Sequence, residues 1–192
     1  GMINLANALG TAATVSSLTT TGNTTTNTQH SPLITFSQSL GGTVTFNNVS
    51  SAGSVDGYGV INLINNSGGI TIASSGVNSE HTGSTIIITA TGNIIINGPI
   101  DAGAADGTVN LSSSAGSISG TSLITGGEAN LSAQTGIAAN TYMPSGVAAT
   151  STISGDISIN SNFYVKLNTI SAPGNLTITS SGNINQNNPI TV

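Results

Sequence analysis

The sequence predicts an all-β fold, a right-handed parallel β-helix built as a solenoid with coils of about 20 residues. Three observations predict it. Apolar anchors recur in threes, 5 to 7 residues apart: Ile88, Ile94 and Ile100; Leu111, Ile118 and Ile124; Leu131, Ile137 and Met143; Ile159, Val165 and Ile170; Ile178, Ile184 and Ile190. The first anchors follow one another at steps of 23, 20, 28 and 19 residues (88, 111, 131, 159, 178). Between anchors stand Gly, Asn, Ser and Pro, which form turns because they tolerate or impose the required backbone angles. One such coil cannot bury its apolar side alone, so neighbours must stack.

Residues 1–40 are the least regular and read as irregular N-terminal coils or a cap. Ile3 to Leu5, Val15 to Leu18 and Leu33 to Phe36 have strand character, whereas Thr19 to Gln29 is a polar, Thr-rich loop. Residues 41–192 read as the β-helix repeats. Val44 to Phe46, Val60 to Leu63 and Ile70 to Ile72 are short β-branched runs, bounded by Gly and Asn turn signals. From Ser84 the period of two assigns faces, with Ile87, Asn110, Asn130, Ser158 and Thr177 outward on successive first strands. The arcs between sets vary most, so Asp101 to Gly107 and Tyr142 to Gly155 are expected to protrude from one edge. Gly1-Met2 has the look of an expression scar, and the whole reads as a fragment of a longer protein.

Composition excludes several functions. Charged residues make up 4% of the 192, against about 25% in an ordinary domain. With one Lys and no Arg, phosphate neutralisation is beyond this chain, so no nucleic-acid partner is expected. There is no run of about 18 apolar residues, and no membrane insertion is expected. The absence of Cys removes disulfides, thiol nucleophiles and Cys-based zinc sites. Disorder is contradicted by regularly spaced Ile, Leu and Val. The 25 Gly and the scarcity of good helix formers argue against long helices.

GNIIINGPIDAG (92–103), AGSISGTSLITGGEANLSAQTGI (115–137) and GNLTITSSGNIN (174–185) resemble the repeats of filamentous-haemagglutinin-like bacterial exoproteins. The resemblance covers roughly residues 40–192 and is one of repeat style. It implies a long right-handed parallel β-helix, secreted or held on the bacterial cell surface and used in cell adhesion. It also implies an outer-membrane transporter as partner during export, and neighbouring coils of the parent chain at the ends. The secretion-domain motif of that family is not visible, and no functional residues carry over.

Candidate site residues are few. Hydrolases on such scaffolds need two carboxylates within about 5–10 Å, and Glu128 and Asp156 precede strands that the anchor pattern makes neighbours. Scattered surface carboxylates are the plainer reading, and an enzyme is not expected. The loop Asp101 to Gly107 lacks alternate-position ligands for calcium. His30 and Glu80-His81 are isolated, so no metal or cofactor is expected. Tyr142, Tyr164 and Lys166 are the ligand-binding candidates. In Phe163-Tyr164-Val165-Lys166-Leu167 the odd positions are expected to face in, leaving Tyr164 and Lys166 outward, where a ring can stack on a sugar and an ammonium can bond its hydroxyls. Surface residues that only cover their own apolar stems show the same pattern. A Thr ladder of the ice-binding kind does not appear in the outward residues. The Asn-x-Ser/Thr triplets at Asn48, Asn110, Asn130 and Asn175 follow from composition.

The expected function is therefore a structural stalk or display segment of a surface adhesin, its edge loops meeting a host or matrix glycan or protein. A carbohydrate-active or carbohydrate-binding β-helix and a pure spacer without ligand remain as alternatives.

Overall fold

Short β-branched runs separated by Gly, Asn and Ser do not sustain helices, and the described residues form strands. A computed structural model describes residues 2–7, 12–21, 33–52, 59–80, 83–103 and 106–192, and these contain twenty-three strands and no helix. The first five coils carry three strands each. They are β1 (Met2–Asn7), β2 (Ala13–Val15) and β3 (Leu18–Thr21), then β4 (Leu33–Gln38), β5 (Val44–Phe46) and β6 (Val49–Ala52). Next come β7 (Val60–Asn65), β8 (Ile70–Ile72) and β9 (Val77–Ser79), followed by β10 (Thr85–Ala90), β11 (Ile94–Ile96) and β12 (Ile100–Asp101). The fifth is β13 (Thr108–Ser113), β14 (Ile118–Gly120) and β15 (Leu123–Thr125). The following coils carry two: β16 (Glu128–Ala133) with β17 (Ile137–Tyr142), β18 (Gly146–Ser151) with β19 (Ile157–Ser161), and β20 (Val165–Ser171) with β21 (Leu176–Ser180). β22 (Ile184–Gln186) and β23 (Ile190–Thr191) both lie on β20.

Like strands of successive coils pair in parallel. The first strands make a ten-stranded sheet, β1-β4-β7-β10-β13-β16-β18-β20-β22 with β23 also paired to β20, and the rest make a thirteen-stranded sheet. Its two ladders merge at β17, which pairs β14 through Ile137 and β15 through Asn140 to Tyr142. Below β17 the chain turns a corner at residues 121–122, between β14 and β15, and β17 runs straight past it. The Asn140 side chain donates to the Thr121 carbonyl left at that corner, at 2.7 Å.

The coils taper. Register partners along the ten-stranded sheet run Met2, Leu33, Val60, Thr85, Thr108, Glu128 and Gly146, so the coil shortens at every step, from 31 residues to 18. The average spacing is about 23 residues, longer than the expected value because of the three-stranded N-terminal coils. Core volume follows perimeter. Phe36 and Phe46 meet edge to face at 5.0 Å within a wide coil. In the narrow coils Ala129, Ala133, Ala139 and Ala149 share the core with Leu131, Ile137, Ile157 and Ile159, and no aromatic residue is buried there. Close packing requires this matching, because a void or an overfilled layer both destabilise.

The register differs from the anchor pattern from β17 onward. Ile88, Leu111 and Leu131 are vertical neighbours as expected, but the next residue in that column is Ala149, not Ile159. Ile159 belongs to the other sheet, above Ala139 and below Ile178. Likewise, Thr141 rather than Met143 continues the column of Ile100 and Ile124. The stretch 146–151, expected to protrude within Tyr142 to Gly155, is strand β18. Its inward residues, Val147 and Ala149, are too small to stand out as anchors, so one coil is hidden in the pattern. Strands before residue 41 share both sheets with those after it. Of the Thr-rich loop, Thr19 to Thr21 lie in β3, and 22–29 fall outside the described residues, as do His30 and His81.

Candidate functional site: a neutral groove on the ten-stranded sheet

Alternation places every second residue of β10, β13, β16 and β18 on the outer face. Two columns result. One reads Ile87, Asn110, Asn130, Ala148; the other reads Thr89, Ser112, Ser132, Thr150. Between and around them lies an open groove of about 450 Å³. Asn130 Nδ2 donates to Asn110 Oδ1 at 3.0 Å, fixing both amides along the column. The Asn110 amino group and the four hydroxyls of the second column bond to nothing else among the described residues. The floor therefore offers neutral donors and acceptors beside the apolar surfaces of Ile87 and Ala148. Glu128, which pairs with Thr108 and Gly146, stands at the upstream end of β16.

The structure places the three candidates near the turns that feed this sheet. Tyr142 ends β17, four residues ahead of Gly146, and its ring lies 4.8 Å from that of Phe163, tilted by 52°. Phe163 does not face in. It is 57% exposed, and Tyr164 beside it is 41% exposed. The expected alternation fails at Phe163 because β20 begins only at Val165, and Val165 and Leu167 are the buried pair. Lys166 points outward on β20 beside Asn185. Thus Tyr142, Phe163 and Tyr164 gather at one corner, and Lys166 lies on the strand that leaves it.

Other candidates are dispersed. Glu128 and Asp156 belong to adjacent coils but are not stack neighbours, because Glu128 opens β16 whereas Asp156 precedes β19 on the other sheet. Glu128 belongs to the ten-stranded sheet, whereas the backbone carbonyl of Asp156 accepts from Ile137 on the other. Asp156 Oδ1 is taken up by the backbone N–H of Asn175 at 2.8 Å. Asp101 Oδ1 likewise accepts from Gly103 N–H at 2.9 Å, closing its own turn. No cluster of three or more potential metal ligands occurs among the described residues.

Comparison with family models, with curated proteins and with solved structures finds no match to this chain. The groove and Phe163 escaped the reading of the sequence. The groove had a signal in the triplet Asn-Leu-Ser, which stands at 110–112 and again at 130–132, one coil apart.

Proposed function

We propose that the chain is a structural stalk and display segment of a secreted or cell-surface bacterial adhesin. The observation that carries the reading is the pair of parallel sheets shared by the first and the last described coils. A rod of this kind transmits load through many short coils held by the same inward columns, and presents side chains at fixed spacing on its outside. Its near-uncharged exterior suits hydroxyl-rich or neutral partners better than nucleic acid. The repeat style shared with filamentous-haemagglutinin-like exoproteins supports the cell-surface setting, with export through an outer-membrane transporter and a host or matrix glycan or protein as the target. A hydrolytic role has less support, since its two carboxylates lie on different sheets.

Antibodies raised against the folded chain test this. They are expected to label intact cells that produce it, before permeabilisation, and to block attachment of those cells to a matrix-coated surface. Labelling that requires permeabilisation would contradict the cell-surface reading. Labelling without any effect on attachment would leave a spacer.

A further inference from the structure

We propose that the groove on the ten-stranded sheet binds an extended, uncharged 1,4-linked glycan lying along the rod axis, across β10, β13, β16 and β18. The inference rests on the reading above that the chain meets a glycan, but places the contact on a sheet face rather than on edge loops.

The chemistry of the floor selects the ligand. Neutral hydroxyls and amides in ordered rows match sugar hydroxyls, which both donate and accept. Thr89, Ser112, Ser132 and Thr150 supply one hydroxyl per coil, and the held Asn110–Asn130 pair supplies amide groups beside them. Ile87 and Ala148 give apolar surface for the faces of the rings. Adjacent strands lie about 4.8 Å apart, close to the length that each 1,4-linked pyranose adds to an extended chain. Successive sugars therefore meet successive coils in the same way.

The same features disfavour other polymers. An acidic polysaccharide or a nucleic acid would find no cation in the groove. A peptide cannot add as a strand, because β13 and β16 already pair on both sides. The groove also lacks the buried aromatic or Arg anchors on which protein contacts depend. Tyr164 and Phe163 stand at the turn entering β20, where an end of the glycan can stack.

Titration calorimetry with cellohexaose, and with hexagalacturonate as its charged counterpart, tests the proposal on the whole chain. The expected result is saturable binding of cellohexaose only. Filling the groove with Ala148→Gln is expected to weaken binding by about tenfold or more. The isosteric pair Thr89→Val and Thr150→Val should weaken it while leaving the thermal midpoint in place, which separates lost hydrogen bonds from lost fold. Ser158→Gln, on the other sheet, should change nothing. The proposal is overturned by any of four results: no binding of cellohexaose, preference for hexagalacturonate, loss on Tyr164→Ala with the groove variants unaffected, or saturable binding of a matrix protein in place of the glycan. Each leaves the antibody result untouched, so the groove and the surface setting fail separately.

Discussion

At the scale of single residues, the interior is not uniformly apolar. Gln38, Asn65, Ala90, Ser113, Ala133 and Ser151 form one inward column at the corner that ends each first strand. Asn65 is fully buried, and its Nδ2 donates to the carbonyls of Gly42 and Gly69, both at 2.8 Å. Ser113 does the same for Gly92 at 2.7 Å. The Gly69 carbonyl also accepts from Val44 N–H at 3.0 Å, so Asn65 adds a second bond there while binding the Gly42 turn carbonyl; a buried carbonyl left alone costs about 1–3 kcal/mol. Thr141 is the contrary case. It is buried above Ile124, and its Oγ1 has no partner. Thr141→Val removes an unsatisfied hydroxyl at constant shape, so it should raise stability by about 1 kcal/mol. A chemical denaturation midpoint checks this, and a fall on substitution would show that the hydroxyl is bonded.

At the scale of elements, the period of two decides what each position tolerates. Ile159 on β19 is 1% exposed, whereas Asn130 on β16 faces solvent. Ile159→Asp places an unpaired charge in a dry column and should cost about 3–5 kcal/mol. Asn130→Lys should cost under about 1 kcal/mol, since the cation stays in water and one side-chain hydrogen bond is lost. Equal shifts in a thermal melt would contradict the face assignment. Turns are constrained more tightly than strands. Gly155 has φ of 95°, and a Cβ there would come within 2.0 Å of the Thr135 carbonyl oxygen of the coil below. Strand existence, face and turn chemistry were legible because Ile, Leu and Gly each signal one thing. Phe163 was not legible, since an aromatic residue next to a strand can lie inside it or on the turn before it. The β18 strand was missed because Val147 and Ala149 give an apolar signal no stronger than that of a loop.

At the scale of the whole molecule, the taper links sequence to surface. Shrinking coils require shrinking core residues, from Phe36 and Phe46 to Ala149, and bring two ladders together at β17. The groove spans the coils where this narrowing occurs, and its last row, Ala148 and Thr150, belongs to the coil hidden in the anchor pattern. Both the fold and the proposed site therefore depend on where β18 lies. The chain has no Cys, so paired substitutions report position directly. Outward neighbours on adjacent parallel strands, about 4.8 Å apart, fall within the Cα separations that a disulfide spans. Asn130→Cys with Ala148→Cys should therefore form a bridge on mild oxidation, seen as a linked peptide by mass spectrometry. Asn130→Cys with Ser158→Cys, the pair that would adjoin if Leu131 stacked on Ile159, should stay reduced. A bridge in the second pair and none in the first would contradict the account.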